Sequence, residues 1–154
     1  MSTNQRASET IIDLADFNDR SYNGWKSGPA GAKFEFVGAD GGFYLFSNMT
    51  ENQQPSGNYL EKEIATEPGS RYELEVVARA SVVDGRGPAA IQYFAAKDDL
   101  FIDIIDRAEW GSLRVPFVAK SEKTLIVLYK PHTSPKHTAN FDIDKITIYK
   151  PCTP

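Results

Sequence analysis

The sequence predicts an all-β fold, a sandwich or barrel of short antiparallel strands, from three observations. Tyr72, Leu74, Val76 and Ala78 alternate with Glu73, Glu75 and Arg79, the period-2 pattern of a strand with one buried and one wet face. Turn residues interrupt the apolar runs about every 8–12 positions, the spacing of sandwiches and barrels. No segment sustains the 3.6-residue apolar period of a helix.

The clearest unit is the hairpin of residues 58–80, NYLEKEIATEPGSRYELEVVARA. Its turn is Glu67-Pro68-Gly69-Ser70, where Pro presets one torsion and Gly accepts positive φ. In the first arm Lys62 falls between Leu60 and Ile64 on the apolar side. That charge predicts an edge strand, which a lysine protects from stray pairing.

Before the hairpin, Ile11, Ile12 and Leu14 suggest a short strand, and Tyr22-Asn23-Gly24-Trp25 a turn ahead of an aromatic. Residues 27–32 read as loop. Lys33 to Val37 and Phe43 to Phe46 read as strands around a glycine-rich turn, and residues 47–57 as a polar loop. After the hairpin, DGRGP at 84–88 breaks the chain. Strands follow at Ala89 to Ala96, Leu100 to Ile105 and Ser112 to Val118. Pro116 lacks an N–H, so the last of these belongs at an edge or carries a bulge.

Thr124 to Tyr129 is apolar on both faces, as a central strand is. After a loop at 130–140, Phe141 to Tyr149 closes the fold. Its inward residues switch from Phe141 and Ile143 to Ile146 and Ile148, which implies a bulge near Asp144-Lys145. The organisation read from this is a tail at 1–10, one sandwich domain at 11–150 and a tail at 151–154.

The 154 residues are 41% hydrophobic and 25% charged, enough apolar content to build a core rather than stay disordered. A net charge of −4 argues against nucleic acid or an anionic membrane as the main partner. No apolar stretch is long enough to span a bilayer, and the polar opening residues show no signal peptide. Cys152 is the single cysteine, so no internal disulfide supports the fold and the compartment stays open. The oligomeric state is equally open.

Several short motifs, taken in order, resemble galactose-binding-like jelly rolls, including the carbohydrate-binding modules attached to bacterial xylanases and glucanases. They are the opening DFNDRSYNGW at 16–25, the hairpin with its T-x-PG-x-x-Y turn, WGSLRVPFVA at 110–119, and the closing FDIDKITIY at 141–149. The resemblance implies a two-sheet antiparallel jelly roll with neighbouring terminal strands and Trp25 in the core. It also implies one structural calcium ion, no catalysis, and an extracellular or cell-surface setting within a larger bacterial protein. A fold of this kind hosts many functions. The alternative is therefore a structural or protein-interaction domain of a surface or secreted protein, with no sugar ligand.

Sugar recognition needs flat aromatics for the apolar C–H faces of a pyranose, and planar polar groups for its hydroxyls. The expected platforms are Tyr44, Tyr59, Tyr93 and Trp110, with Glu75, Arg79 and Gln92 as hydroxyl partners; the plain alternative is that these aromatics fill the core. Calcium needs six to eight oxygens. Asp16 and Asp19 near the start could meet Asp142 and Asp144 near the end if the terminal strands are neighbours; solvated strand-end carboxylates are the alternative.

His132 and His137 make a poor zinc site alone. Asp98, Asp99, Asp103 and Asp106 are explained by turn chemistry. No nucleophile elbow, P-loop or zinc-protease motif is present. The alternating Glu61, Glu63, Glu73 and Glu75 leave a small hydrolase or lyase as a third reading.

Overall fold

Among the residues described by the computed structural model, which are 9–28, 33–39, 41–48, 57–80, 89–95, 99–105, 109–130 and 141–152, all regular structure is strand. For β7, β8 and the first three residues of β5, the description is of the backbone. The strands are β1 (Thr10–Ala15), β2 (Lys26–Ser27), β3 (Lys33–Ala39), β4 (Gly42–Asn48), β5 (Gly57–Ala65) and β6 (Arg71–Ala80). They continue with β7 (Ala89–Ala95), β8 (Asp99–Ile105), β9 (Gly111–Val118), β10 (Lys123–Lys130) and β11 (Phe141–Lys150).

They form two antiparallel sheets. The first has the order β3-β4-β11-β6-β9, with β1 also on β11; the second has the order β2-β5-β10-β7-β8. β6 takes one edge of β11 along nearly its whole length. The other edge is shared: β4 pairs with Phe141 to Ile143, and β1 pairs with Ile146 to Lys150. Between these two partners, β11 carries a register shift between Ile143 and Lys145. The shift is the bulge expected from the odd-to-even switch, and it leaves Asp144 outside the ladder.

The alternation in β6 sorts as expected. Tyr72, Leu74, Val76 and Ala78 are buried, while Glu73, Glu75 and Arg79 lie on the opposite face. They join Leu45, Ile143, Ile146 and Ile148 of the first sheet, and Leu60, Ile64, Ile126 and Leu128 of the second, in one core between the layers. Trp25 and Phe17 are part of it. Each such side chain contributes roughly 1.5–3 kcal/mol by leaving water. β9 is the edge strand that Pro116 requires, and Pro116 faces Glu73 in the register. β10 is central, between β5 and β7.

Two expectations about the strands are corrected. Lys62 does not mark an edge, because β5 lies between β2 and β10. Its ammonium is accommodated instead by bonds to the Asp13 carboxylate at 2.7 Å and the Asn23 carbonyl at 2.5 Å. The loop read over residues 27–32 begins inside a two-residue strand, β2, too short to show periodicity.

The β5–β6 turn is tied down at several points. Gly69, at φ 83°, donates its N–H to the Ala119 carbonyl at 2.8 Å, and the Ala119 N–H bonds the Ser70 carbonyl at 2.9 Å. Beside it the buried Thr66 hydroxyl meets the Thr124 hydroxyl and the Ser121 carbonyl, both at 2.8 Å. Burial of these polar groups is tolerable because each has a partner.

Candidate functional site

The shared edge of β11 creates a notch. β1 leaves β11 at Ala15 and β4 joins it at Ile143, so on this edge the bulge at Asp144 has no ladder partner. The chain leaving β1 supplies Asn18, the β3–β4 turn supplies Gly41, and the start of β4 supplies Gly42, Phe43 and Tyr44. With Asp144 and Trp110 these line a cavity of about 330 Å³, at the small end of the range for ligand pockets.

Local geometry holds the walls. Phe17 adopts φ 61° and Arg20 φ 55°, a left-handed conformation that bulky residues rarely adopt. The full burial of Phe17 anchors that bend in the core. The Asp16 carboxylate accepts the Asn18 N–H at 3.1 Å, and the Asn18 side-chain oxygen accepts the Phe43 N–H at 3.0 Å. The second bond requires Gly42, since a Cβ there would lie 2.2 Å from Asn18 Oδ1.

The far wall is an aromatic–guanidinium stack on the face of the first sheet turned away from the core. Arg79 donates from Nε to Asp142 at 2.7 Å, and Asp142 is fully buried. Its guanidinium carbon lies 4.2 Å from the Trp110 ring centre and 5.2 Å from that of Tyr44, and the two rings meet edge-to-face at 5.5 Å. Trp110 nevertheless stays 39% exposed at the rim, whereas Tyr44 is only 5% exposed. A desolvated guanidinium over an indole is a strong cation–π arrangement. Tyr44 therefore supports the stack rather than offering a surface.

Farther along this face lies a second stack. Arg114 lies over Tyr149 at 4.2 Å, bonds Glu73 at 2.6 Å and also bonds Glu9. Tyr149 donates to Glu75, which also accepts the Ser112 hydroxyl. Burial works to lower the Arg114 pKa, but Glu73 and Glu9 outweigh it and the net shift is upward. Burial and then the Glu75 charge push the Tyr149 phenol up. Glu75 is thus occupied within the protein.

Asp144 is the charged residue of the notch. Its carboxyl is raised above the usual range, first by burial and then by the nearby Asp16 charge, against the pull of Lys145 and Arg79.

The seven residues expected to bind sugar do not share one face. Tyr44, Glu75, Arg79 and Trp110 belong to the first sheet or the approach to it, and Tyr59, Gln92 and Tyr93 to strands of the second. Gln92 pairs with Tyr129 and Tyr93 with Leu128. The side chains of Tyr59, Gln92 and Tyr93 lie outside the described residues, as do His132, His137, Asp98 and Asp106.

The four aspartates named for a cation do not gather either. Asp142 bonds Arg79, Asp19 accepts the Ser21 N–H at 3.0 Å, and the Asp16 charge acts on Asp144. Among the described residues no three His, Cys, Asp or Glu side chains come together to hold a metal. Asn18 and Phe43 were not legible as site residues, because a single asparagine and an alternating aromatic have no motif of their own.

No protein-family model and no curated protein matches the chain. Solved structures do. The CBM22-1 xylan-binding domain of Paenibacillus barcinonensis Xyn10C superposes with a TM-score of 0.68 at 12% identity, covering 96% of this chain and 98% of that one. The EclA C-terminal domain, a sugar-binding protein, gives 0.59 at 20%, covering 88% and 97%. The CBM22-1–GH10 modules of Clostridium thermocellum xylanase 10B, complexed with xylohexaose, give 0.61 at 13%, covering 94% of this chain and 29% of that one. The fold is therefore the two-sheet jelly roll that these carbohydrate-binding modules share, as the motif order implies. Among the described residues no helix is long and apolar enough to cross a membrane.

Proposed function

We propose that this chain is a non-catalytic carbohydrate-binding module whose glycan lies against Trp110 and enters the notch beside it. The observation behind the reading is the half-exposed indole of Trp110, fixed by Arg79 and Tyr44 at the rim of a cavity that also presents Asn18 and Asp144. An immobilised aromatic offers contact area to a sugar ring at little entropic cost, and the amide and carboxylate can bond hydroxyls. Among the described residues the lining contains one acid–base residue, Asp144. Glycoside hydrolysis ordinarily needs two flanking carboxyl groups, which favours binding without cleavage.

Isothermal titration against a panel of soluble glycans, xylans and β-glucans included, tests this. Binding that weakens at least tenfold in Trp110→Ala, with no new reducing ends in the mixture, is the expected result. Silence across the panel overturns it. A thermal scan with and without chelator tests the calcium reading, made on Asp16, Asp19, Asp142 and Asp144: thermal stability should fall with chelator and return with calcium. The bacterial, extracellular setting belongs to this same proposal.

A second reading has its own support. The lattice around Arg114, Glu73, Glu75 and Tyr149 satisfies its polar groups internally, which suits a structural or interaction domain that leaves this face unliganded. Panel silence with an intact fold would favour it.

A further inference from the structure

We infer that the notch sorts glycans by charge, preferring neutral and amino sugars and rejecting uronic acids, an inference that rests on the notch being the glycan site. Among the described residues its lining contains one charged side chain, the Asp144 carboxylate, and one neutral polar side chain, Asn18. The Asn18 side-chain oxygen is already used by the Phe43 N–H. Asn18 can therefore offer a ligand its NH₂ donors and the remaining lone pair of its oxygen, while an ionised Asp144 offers acceptors only. A sugar hydroxyl serves both, since it donates and accepts. An ammonium group serves Asp144 better still. A ligand carboxylate has nothing to donate to Asp144 and meets its like charge.

The nearby cations do not reverse this. Arg79 is held by Asp142 at 2.7 Å and lies over the Trp110 ring, 4.2 Å from its centre, and is not among the residues that line the cavity. Lys145 and Asp16 act on Asp144 with opposite signs. The exposed Arg20 rests over the Phe43 ring, 5.4 Å from its centre, and does not line the cavity. Among the described residues Asp144 is thus the lining charge that a bound sugar would meet.

The test compares three oligosaccharides of equal length on the backbone the panel selects. For a β-1,4-glucan they are cellohexaose, the chitosan hexamer and the 6-carboxylated hexamer. Titrations run in chelated buffer at low salt. At a separation of a few ångströms in a half-open site, one like charge weakens binding by about fivefold and one opposite charge strengthens it by a similar factor. The expected Kd order is chitosan hexamer below cellohexaose below the carboxylated hexamer. Within Asp144→Asn, the ratio of carboxylated to neutral Kd should fall toward one.

A carboxylated hexamer that binds as tightly as cellohexaose, or a ratio unmoved by Asp144→Asn, overturns the inference. Trp110→Ala separates it from its foundation. If that change weakens all three ligands but the order is wrong, the charge selection alone fails. If that change weakens none of them, the glycan site lies elsewhere and both fail.

Discussion

Lys62 of the second sheet reaches Asp13 of β1 in the first, Nζ to Oδ1 at 2.7 Å. One ion pair thus crosses the layers, and both side chains are less than one-fifth exposed. The same ammonium bonds the Asn23 carbonyl, so it ties the first strand, the turn after it and β5 together. Lys62→Met keeps the length and removes the charge, leaving a largely buried Asp13 carboxylate unmatched. That change should destabilise the fold by about 2 kcal/mol. The expected fall in Tm is about 4–8 °C, and a double-mutant cycle with Asp13→Asn should recover much of it.

Gly24 sits at φ 84° against that lysine, and a Cβ there would lie 3.0 Å from Lys62 Cε. Gly69 has φ 83° and open space around it. Both positions tax an alanine for its left-handed backbone, by about 1–2 kcal/mol. Gly24→Ala must also displace Lys62. Urea unfolding should therefore rank Gly24→Ala below Gly69→Ala in stability, and equal values would remove the steric account.

Gly42→Ala should alter the notch more than the fold. The added methyl displaces the Asn18 side chain and breaks its bond to the Phe43 N–H. Loss of about 1 kcal/mol of stability is expected. A measurable change in glycan affinity should accompany it, read by titration against the best panel ligand.

Thr66→Val removes the hydroxyl that Thr124 meets at 2.8 Å. Thr124 is almost wholly buried, so its oxygen is stranded at a cost of about 1–2 kcal/mol. Thr66→Ser keeps the hydroxyl and should retain most of the stability in a thermal scan.

Glu67 and Lys150 supply a pH dependence. The Lys150 hydrogen bond, followed by its charge, lowers the Glu67 pKa below 4.5. Because the folded value is depressed, the contribution is present above about pH 4.5 and disappears as pH falls through the folded pKa. Nuclear magnetic resonance should show the Glu67 carboxyl titrating low, and Lys150→Ala should return it toward 4.5.

The fold was largely legible because its signals are local. The alternation at residues 72–79, Pro116 on an edge and the bulge before Lys145 each follow from two to eight neighbouring residues. Lys62 misled, because a charge between Leu60 and Ile64 looks the same at an edge and beside a distant carboxylate. The meeting of terminal strands also held, since β1 pairs with β11.

The candidate site was legible only in part. Trp110 and Arg79 come together, while Tyr44 is used as packing. Periodicity places a tyrosine on the outer face of a strand; whether a guanidinium then covers it depends on a partner 35 residues away. Asn18 and Asp144 owe their position to the bulge and to where two strands stop, which no local pattern encodes.

That interrupted edge gives the molecule a place where recognition can be retuned without disturbing its interior. Asn18 and Gly41 occupy turns and Asp144 is the extra residue of the bulge, so none of them contributes to the apolar layer. A library varied at those three positions should yield many folded members with altered sugar preference, whereas variation at Leu45 or Ile143 would mostly yield aggregates.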